Sequence, residues 1–264
     1  MSPAVSPATS STPSANHGAG VLLALDSCGS RPGAALWDGS GDPQVVHMDE
    51  RPPRAEGLAA CVQRLIDAGR RDVSSITSLA VLAGPGSYTG LRTGLAFVRG
   101  LALLDSLPVA PVSALERLAF SAGVDGERVI AFWQCAPDLV VAIAYQIRDG
   151  LVVSLNEGGA LPLAQLDGFV ARCRAAHPGP WILALEHDHA ASGSSLLSAI
   201  DGAATERRVV DSQTIGVLAR LGYAKCERGL GVAADLVLPD YFGTSLPRSN
   251  RNRVAAPFAE RVTY

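Results

Sequence analysis

No stretch of this 264-residue chain approaches the ~18 uninterrupted apolar residues that a bilayer-spanning helix needs, so no membrane-crossing segment is expected. Residues 1–19 consist mainly of Ser, Pro, Ala and Thr and lack the basic start of a signal peptide. Val21 to Leu25 is too short for the hydrophobic region of one, and a disordered tail is expected there instead. Paired cysteines are missing as well. Cys28, Cys61, Cys135, Cys173 and Cys226 are scattered, odd in number and form no C-x-x-C motif, which fits free thiols in a reducing cytoplasm. A basic excess is also absent. With 22 Lys+Arg against 25 Asp+Glu the formal net charge is -3, which gives no general attraction to nucleic acid, so any RNA is expected to be held mainly through a partner.

Catalytic signatures are equally sparse. There is no H-E-x-x-H, no H-x-x-x-H and no G-x-S-x-G elbow. Glu186-His-Asp-His189 is the only local cluster with metal-ligand chemistry, and four polar residues after an apolar strand also read as a solvated loop. What the chain does have is a core: 48% hydrophobic against 18% charged residues suits one large or two modest globular domains.

The run Gly84-Pro-Gly-Ser-Tyr-Thr-Gly-Leu-Arg-Thr-Gly94 follows the apolar stretch Leu79 to Ala83. It looks like a phosphate loop, but Gly90 is followed by Leu91-Arg92 where a Walker loop needs Lys and Ser or Thr. A dinucleotide fingerprint would need Gly at Thr89. Ser87 is placed to cap the helix that follows. From Leu91 to Leu104 that helix is apolar on most sides, with Arg92, Ala96, Arg99 and Leu103 on one narrow stripe. Gly90 and Gly94, and likewise Ala96 and Gly100, leave shallow surface where another backbone can approach. That approach would compensate the roughly 1 kcal/mol that each helical glycine costs relative to Ala.

Turns and periodicities predict strands near 21–26, 33–38 and 44–48, a helix over 54–68, a strand at 79–83, the glycine-turn helix and a strand at 109–112. Ser113-x-x-Glu116 is a capping box for a short helix ending near Gly123, and Val124 to Glu127 is a hinge candidate. The second half repeats the order with strands near 129–133, 139–147, 151–155 and 181–185, a helix over 162–175 and a last helix over 213–227. Mixed sheets covered by helices, occurring twice, predict two related α/β domains.

GPGSYTGLRTG, with Val21-Leu-Leu-Ala-Leu-Asp26 and Gly33-Ala-Ala-Leu-Trp37 before it, resembles the bacterial TsaB (YeaZ) family, sharply between Val21 and Glu116 and more loosely to Phe242. The resemblance implies two ribonuclease-H-like (actin-like, ASKHA) domains, 20–118 and 119–243, with the last helix packing back on the first and a flexible basic tail over 244–264. It implies a non-catalytic dimerisation subunit in the formation of N6-threonylcarbamoyladenosine at position 37 of tRNAs reading codons that begin with A. The implied partners are a TsaD-type catalytic paralogue and a TsaE-type ATPase. The chain would be a homodimer when alone, touching tRNA only through the complex. No intrinsic cofactor is implied, with ATP at most at a partner interface.

The implied interface comprises Arg54, Leu58, Gly90, Arg92, Gly94, Ala96 and Arg99, in which Ala96 lies on the Arg-lined stripe and Gly94 turns toward its own domain. Asp26 stands where actin-like ATPases hold a carboxylate near the nucleotide's metal; a strand-end Asp that binds its own turn amides is the other reading. An ATPase or small-molecule kinase of that fold is accordingly the alternative function. Gln134-Cys-Ala136 replaces the family's usual Asp-Ala-Arg, Glu186 stands at a usual Gly-rich turn, and Gly243 replaces an Arg after Pro239-Asp-Tyr-Phe242.

Overall fold

The computed structural model describes residues 20–29, 31–49, 54–186, 206–210 and 215–241. The expected tails, 1–19 and 244–264, and His187 and His189 of the acidic-histidine cluster lie outside the described residues. Among the described residues no helix is long and apolar enough to cross a membrane.

The first half runs β1 (Val21–Asp26), β2 (Gly33–Trp37), β3 (Gln44–His47), α1 (Arg54–Gly69), β4 (Ile76–Gly84), α2 (Tyr88–Asp105), β5 (Val109–Ser113) and α3 (Ala114–Ala122). The second runs β6 (Arg128–Ala136), β7 (Leu139–Arg148), β8 (Leu151–Pro162), α4 (Leu166–Ala176), β9 (Ile182–Glu186), β10 (Glu206–Val210) and α5 (Ile215–Glu227). The strand orders β3-β2-β1-β4-β5 and β8-β7-β6-β9-β10 are the same topology written twice. In each, a three-stranded antiparallel meander is followed by two strands parallel to its first.

Period-two alternation assigns the faces. Val21, Leu23 and Leu25 of β1 pack with Leu58, Leu65, Leu95 and Val98 of α1 and α2. Leu22 and Ala24 point the other way, into a cluster with Leu115 and Leu118 of α3, Leu218 and Leu221 of α5, and Val129, Ala131 and Val141 of the second sheet. The outer face of that sheet, Ile130, Phe132, Val140 and Ala142, is covered by Leu166, Phe169 and Val170 of α4. The layers are therefore α1 and α2, first sheet, α3 and α5, second sheet, α4.

Both predicted caps are present. Ser87 Oγ accepts from Gly90 N–H at 3.3 Å, and the Ser113/Glu116 capping box is reciprocal. The Glu116 carboxylate also takes Lys225 Nζ of α5 at 2.9 Å, tying the last helix to the domain junction. Tyr145 of β7 is enclosed beside them, and burial first, then the Glu116 and Asp240 carboxylates, push its phenol well above its ordinary value.

Three sequence expectations need correction. β8 continues past Leu155 to Pro162, because Gly158 at φ +133 lets the strand pass the Ala142 carbonyl, which a Cβ would meet at 2.1 Å. The helix expected from Pro162 therefore starts at Leu166. β10, Glu-Arg-Arg-Val-Val, has no counterpart among the expected strands, since it lies at the sheet edge and pairs only with β9.

Candidate functional site: a filled crevice and an exposed helix face

In open α/β sheets ligands sit outside the carboxyl ends of the parallel strands. Two such ends converge here, that of β1 at Asp26 and that of β9 at Glu186. The space between them holds the side chain of Arg117 from α3. Arg117 Nη1 donates to Asp26 Oδ2 at 2.8 Å, and Nη2 lies 3.6 Å from Glu186 Oε1. Arg117 and Asp26 are each 1% exposed and Glu186 5%. The other Asp26 oxygen accepts from the amides of Cys28 and Gly29, both at 2.9 Å. Asp26 is thus both a turn former and one partner of a buried ion pair. The position read as a metal- or nucleotide-facing carboxylate already has both oxygens occupied by this chain.

That turn is the seat of α2. Ser27 Oγ donates to the Gly90 carbonyl at 2.7 Å, and Ser87 N–H donates to the Cys28 carbonyl at 3.3 Å. A Cβ on Gly90 would come within 2.3 Å of Ser27 O, and one on Gly94 within 2.3 Å of Ser27 Oγ. The close approach that these glycines permit is therefore intramolecular. Gly90, Gly94 and also Leu58, which is 0% exposed, belong to the chain's own packing rather than to a surface open to a second subunit. Gly94 does face its own domain. Arg54 begins α1.

The outer stripe of α2 is exposed. Arg92, Ala96, Arg99 and Leu103 all face outward, Leu103 at 84% exposure. Arg92 Nη1 donates to Tyr88 Oη at 2.8 Å and its guanidinium lies 5.4 Å from that ring, which in turn packs on Tyr241. Arg99 donates to the carbonyls of Ala234 and Val237 at 3.2 and 2.7 Å, fastening the segment that carries the exposed Leu236 and Leu238 onto the helix.

Among the described residues no three His, Cys, Asp or Glu side chains group as metal ligands. Burial pushes the Cys135 thiol up to about 12 and the Cys226 thiol up to about 11, so both stay protonated at neutral pH, where a thiol is a poor nucleophile. A cavity of about 150 Å³ beside Trp37, Asp38 and Arg71 is smaller than the ~300–1,000 Å³ usual for small-molecule sites.

Residues 54–153 match the family described as TsaD, tRNA N6-adenosine threonylcarbamoyltransferase. The tRNA threonylcarbamoyladenosine biosynthesis protein TsaB of Escherichia coli K12 is 34% identical over 100 residues, 37% of this chain and 42% of that protein. The Haemophilus influenzae protein of the same name is 32% identical over 102 residues, 39% of this chain and 43% of that one. The aligned part thus spans less than half the length of these curated relatives. A solved structure of YeaZ from Pseudomonas aeruginosa superposes with a TM-score of 0.66 at 26% identity, covering 84% of this chain and 99% of that one. These likenesses, of sequence over the first half and of fold over most of the chain, support the TsaB (YeaZ) family. The chain's two repeated sheets are the actin-like, ribonuclease-H-like fold. Within that family frame, Arg117 is the residue that sequence reasoning missed. A lone Arg in a nine-residue helix reads as solvated, and only the packing of α3 between two sheets puts it out of water.

Proposed function

We propose that this chain serves tRNA N6-threonylcarbamoyladenosine biosynthesis as a non-catalytic subunit. It pairs with a TsaD-type catalytic paralogue, which it activates, and works beside a TsaE-type ATPase in the cytoplasm. Alone it forms a homodimer, and it meets tRNA only within the complex. The observation that carries the non-catalytic reading is the filled crevice: Asp26 is engaged by Arg117 and two backbone amides where an actin-like enzyme needs a ligand-facing carboxylate. The names of the relatives support the pathway.

Purified alone, the chain is expected to transfer no threonylcarbamoyl group to tRNA and to hydrolyse ATP negligibly, while stimulating transfer when the TsaD-type partner is added. Transfer by the isolated chain would overturn the reading, and ATP turnover by it would favour a kinase or ATPase.

The exposed stripe of α2 is the proposed docking face. Ala96→Trp adds bulk there without touching the core and is expected to block both self-association in light scattering and titration of the partner, with an unchanged circular dichroism spectrum. Arg92→Glu is expected to weaken docking by about 2–5 kcal/mol, the cost of breaking a charge pair desolvated in an interface. Unchanged assembly in both variants would show that the stripe is not the docking face.

A further inference from the structure

We propose that Arg117 is a positioning residue which, by bridging the two sheets, holds the Asp26–Gly29 turn in place and thereby fixes the seat of α2. The contacts form one chain from the second half of the molecule to the helix. Glu186 ends β9 in the second sheet, and Arg117 reaches it from α3 while gripping Asp26 at the end of β1. Asp26 in turn caps the amides of Cys28 and Gly29. Ser27 and Cys28 then take the Gly90 and Ser87 backbone, and their atoms fill the space left by Gly86, Gly90 and Gly94.

The Arg117 guanidinium is poorly satisfied for a group whose only task is stability. Its Nε is buried without a hydrogen-bond partner among the described residues, and its contact to Glu186 is longer than a hydrogen bond. Buried ion pairs of this quality are commonly no more stabilising than apolar side chains of equal volume, and in some proteins their role is instead to fix which packing is adopted. Here two five-stranded sheets meet, and what the geometry fixes is the turn beneath the helix. The docking role of α2 rests on the reading under Proposed function; the seating of α2 does not.

Cys28 provides the readout. It is 6% exposed, and its Sγ lies 2.8 Å from where a Cβ of Gly86 would stand, so a thiol reagent reaches it only when the α2 loop lifts from the turn. Cys61 in α1 and Cys173 in α4 are buried in the first and second halves and report the opening of each half independently. The informative variant is Asp26→Asn/Arg117→Met/Glu186→Gln, which removes all three charges at nearly constant volume and keeps a side-chain oxygen at position 26 to accept the two turn amides.

With thiol modification followed residue by residue by mass spectrometry, this full-length variant is expected to keep the native circular dichroism spectrum. Its Cys28 is expected to label at least tenfold faster than in the native chain, with Cys61 and Cys173 unchanged. A folded variant whose Cys28 labels at the native rate, or whose three thiols accelerate together, overturns the proposal. Should the triple variant not fold, Glu186→Gln decides, because it keeps the 2.8 Å Asp26–Arg117 contact. About threefold faster labelling of Cys28 alone is expected from it, and no change overturns the proposal. Partner titration with the same variants is expected to weaken about fivefold. If Ala96→Trp leaves that titration untouched, the docking reading has failed, while the thiol result still decides the role of Arg117.

Discussion

Arg117→Met alone is expected to cost the fold about 3–5 kcal/mol, the range seen when one partner of a buried ion pair is removed and the other is left uncompensated. Asp26, at 1% exposure, loses its cation in this case, and Glu186, at 5%, loses one of its contacts. Methionine fills most of the volume, so the loss is electrostatic rather than a cavity effect. At roughly 2–4 °C per kcal/mol for a chain of this size, the melting midpoint should fall by about 6–20 °C. Adding Asp26→Asn and Glu186→Gln should return most of that loss, since the neutral triad no longer buries charge. Urea titrations of the native, single and triple variants measure both steps. A loss under about 1 kcal/mol for Arg117→Met, far below the buried-pair range, would mean that water reaches the triad and that the crevice is not filled as described.

Particular residues show what the sequence could reveal. Strand positions, the Ser87 cap, the Ser113/Glu116 capping box and the repeated order of elements follow from local signals: alternation, side-chain oxygens at helix starts, and glycine turns. The exposed stripe of α2 is legible too, because three sides of an apolar helix must be covered and Arg92 and Arg99 mark the fourth. Facing direction is harder. Leu58 carries no mark distinguishing a surface that meets another subunit from one that meets the chain's own sheet, and Gly90 none that separates a subunit from the chain's own Ser27–Cys28 turn, since a small residue permits close approach in either case, whereas the facing of Gly94 is legible. The Asp26–Arg117 pair joins residues 91 positions apart, and the charge of Arg117 argues for solvent unless both sheets are already in place. β10 is hidden because Glu206 and Arg207 are exposed on an edge strand that buries little.

Gly90→Ala and Gly100→Ala, the same change at two positions of the same helix, are expected to shift stability in opposite directions. A Cβ at position 90 would lie 2.3 Å from Ser27 O, 2.7 Å from Cys28 Cα and 3.0 Å from Ser27 C, all backbone atoms of a turn held by Asp26. No side chain can swing away to relieve that overlap. α2 must lift or the turn must shift, at a cost of about 1–3 kcal/mol of the kind measured for overpacked cores. Lifting α2 also strains the 2.7 Å bond from Ser27 Oγ to the Gly90 carbonyl. At position 100 a Cβ meets nothing within 4 Å, and the site is exposed in the helix interior, so alanine there gains about 0.5–1 kcal/mol by restricting the unfolded chain. Chemical denaturation of the two variants side by side measures the difference, about 1.5–4 kcal/mol on these ranges. Equal effects at the two positions would place Gly90 away from the turn and remove the contact by which Arg117 is proposed to seat the helix.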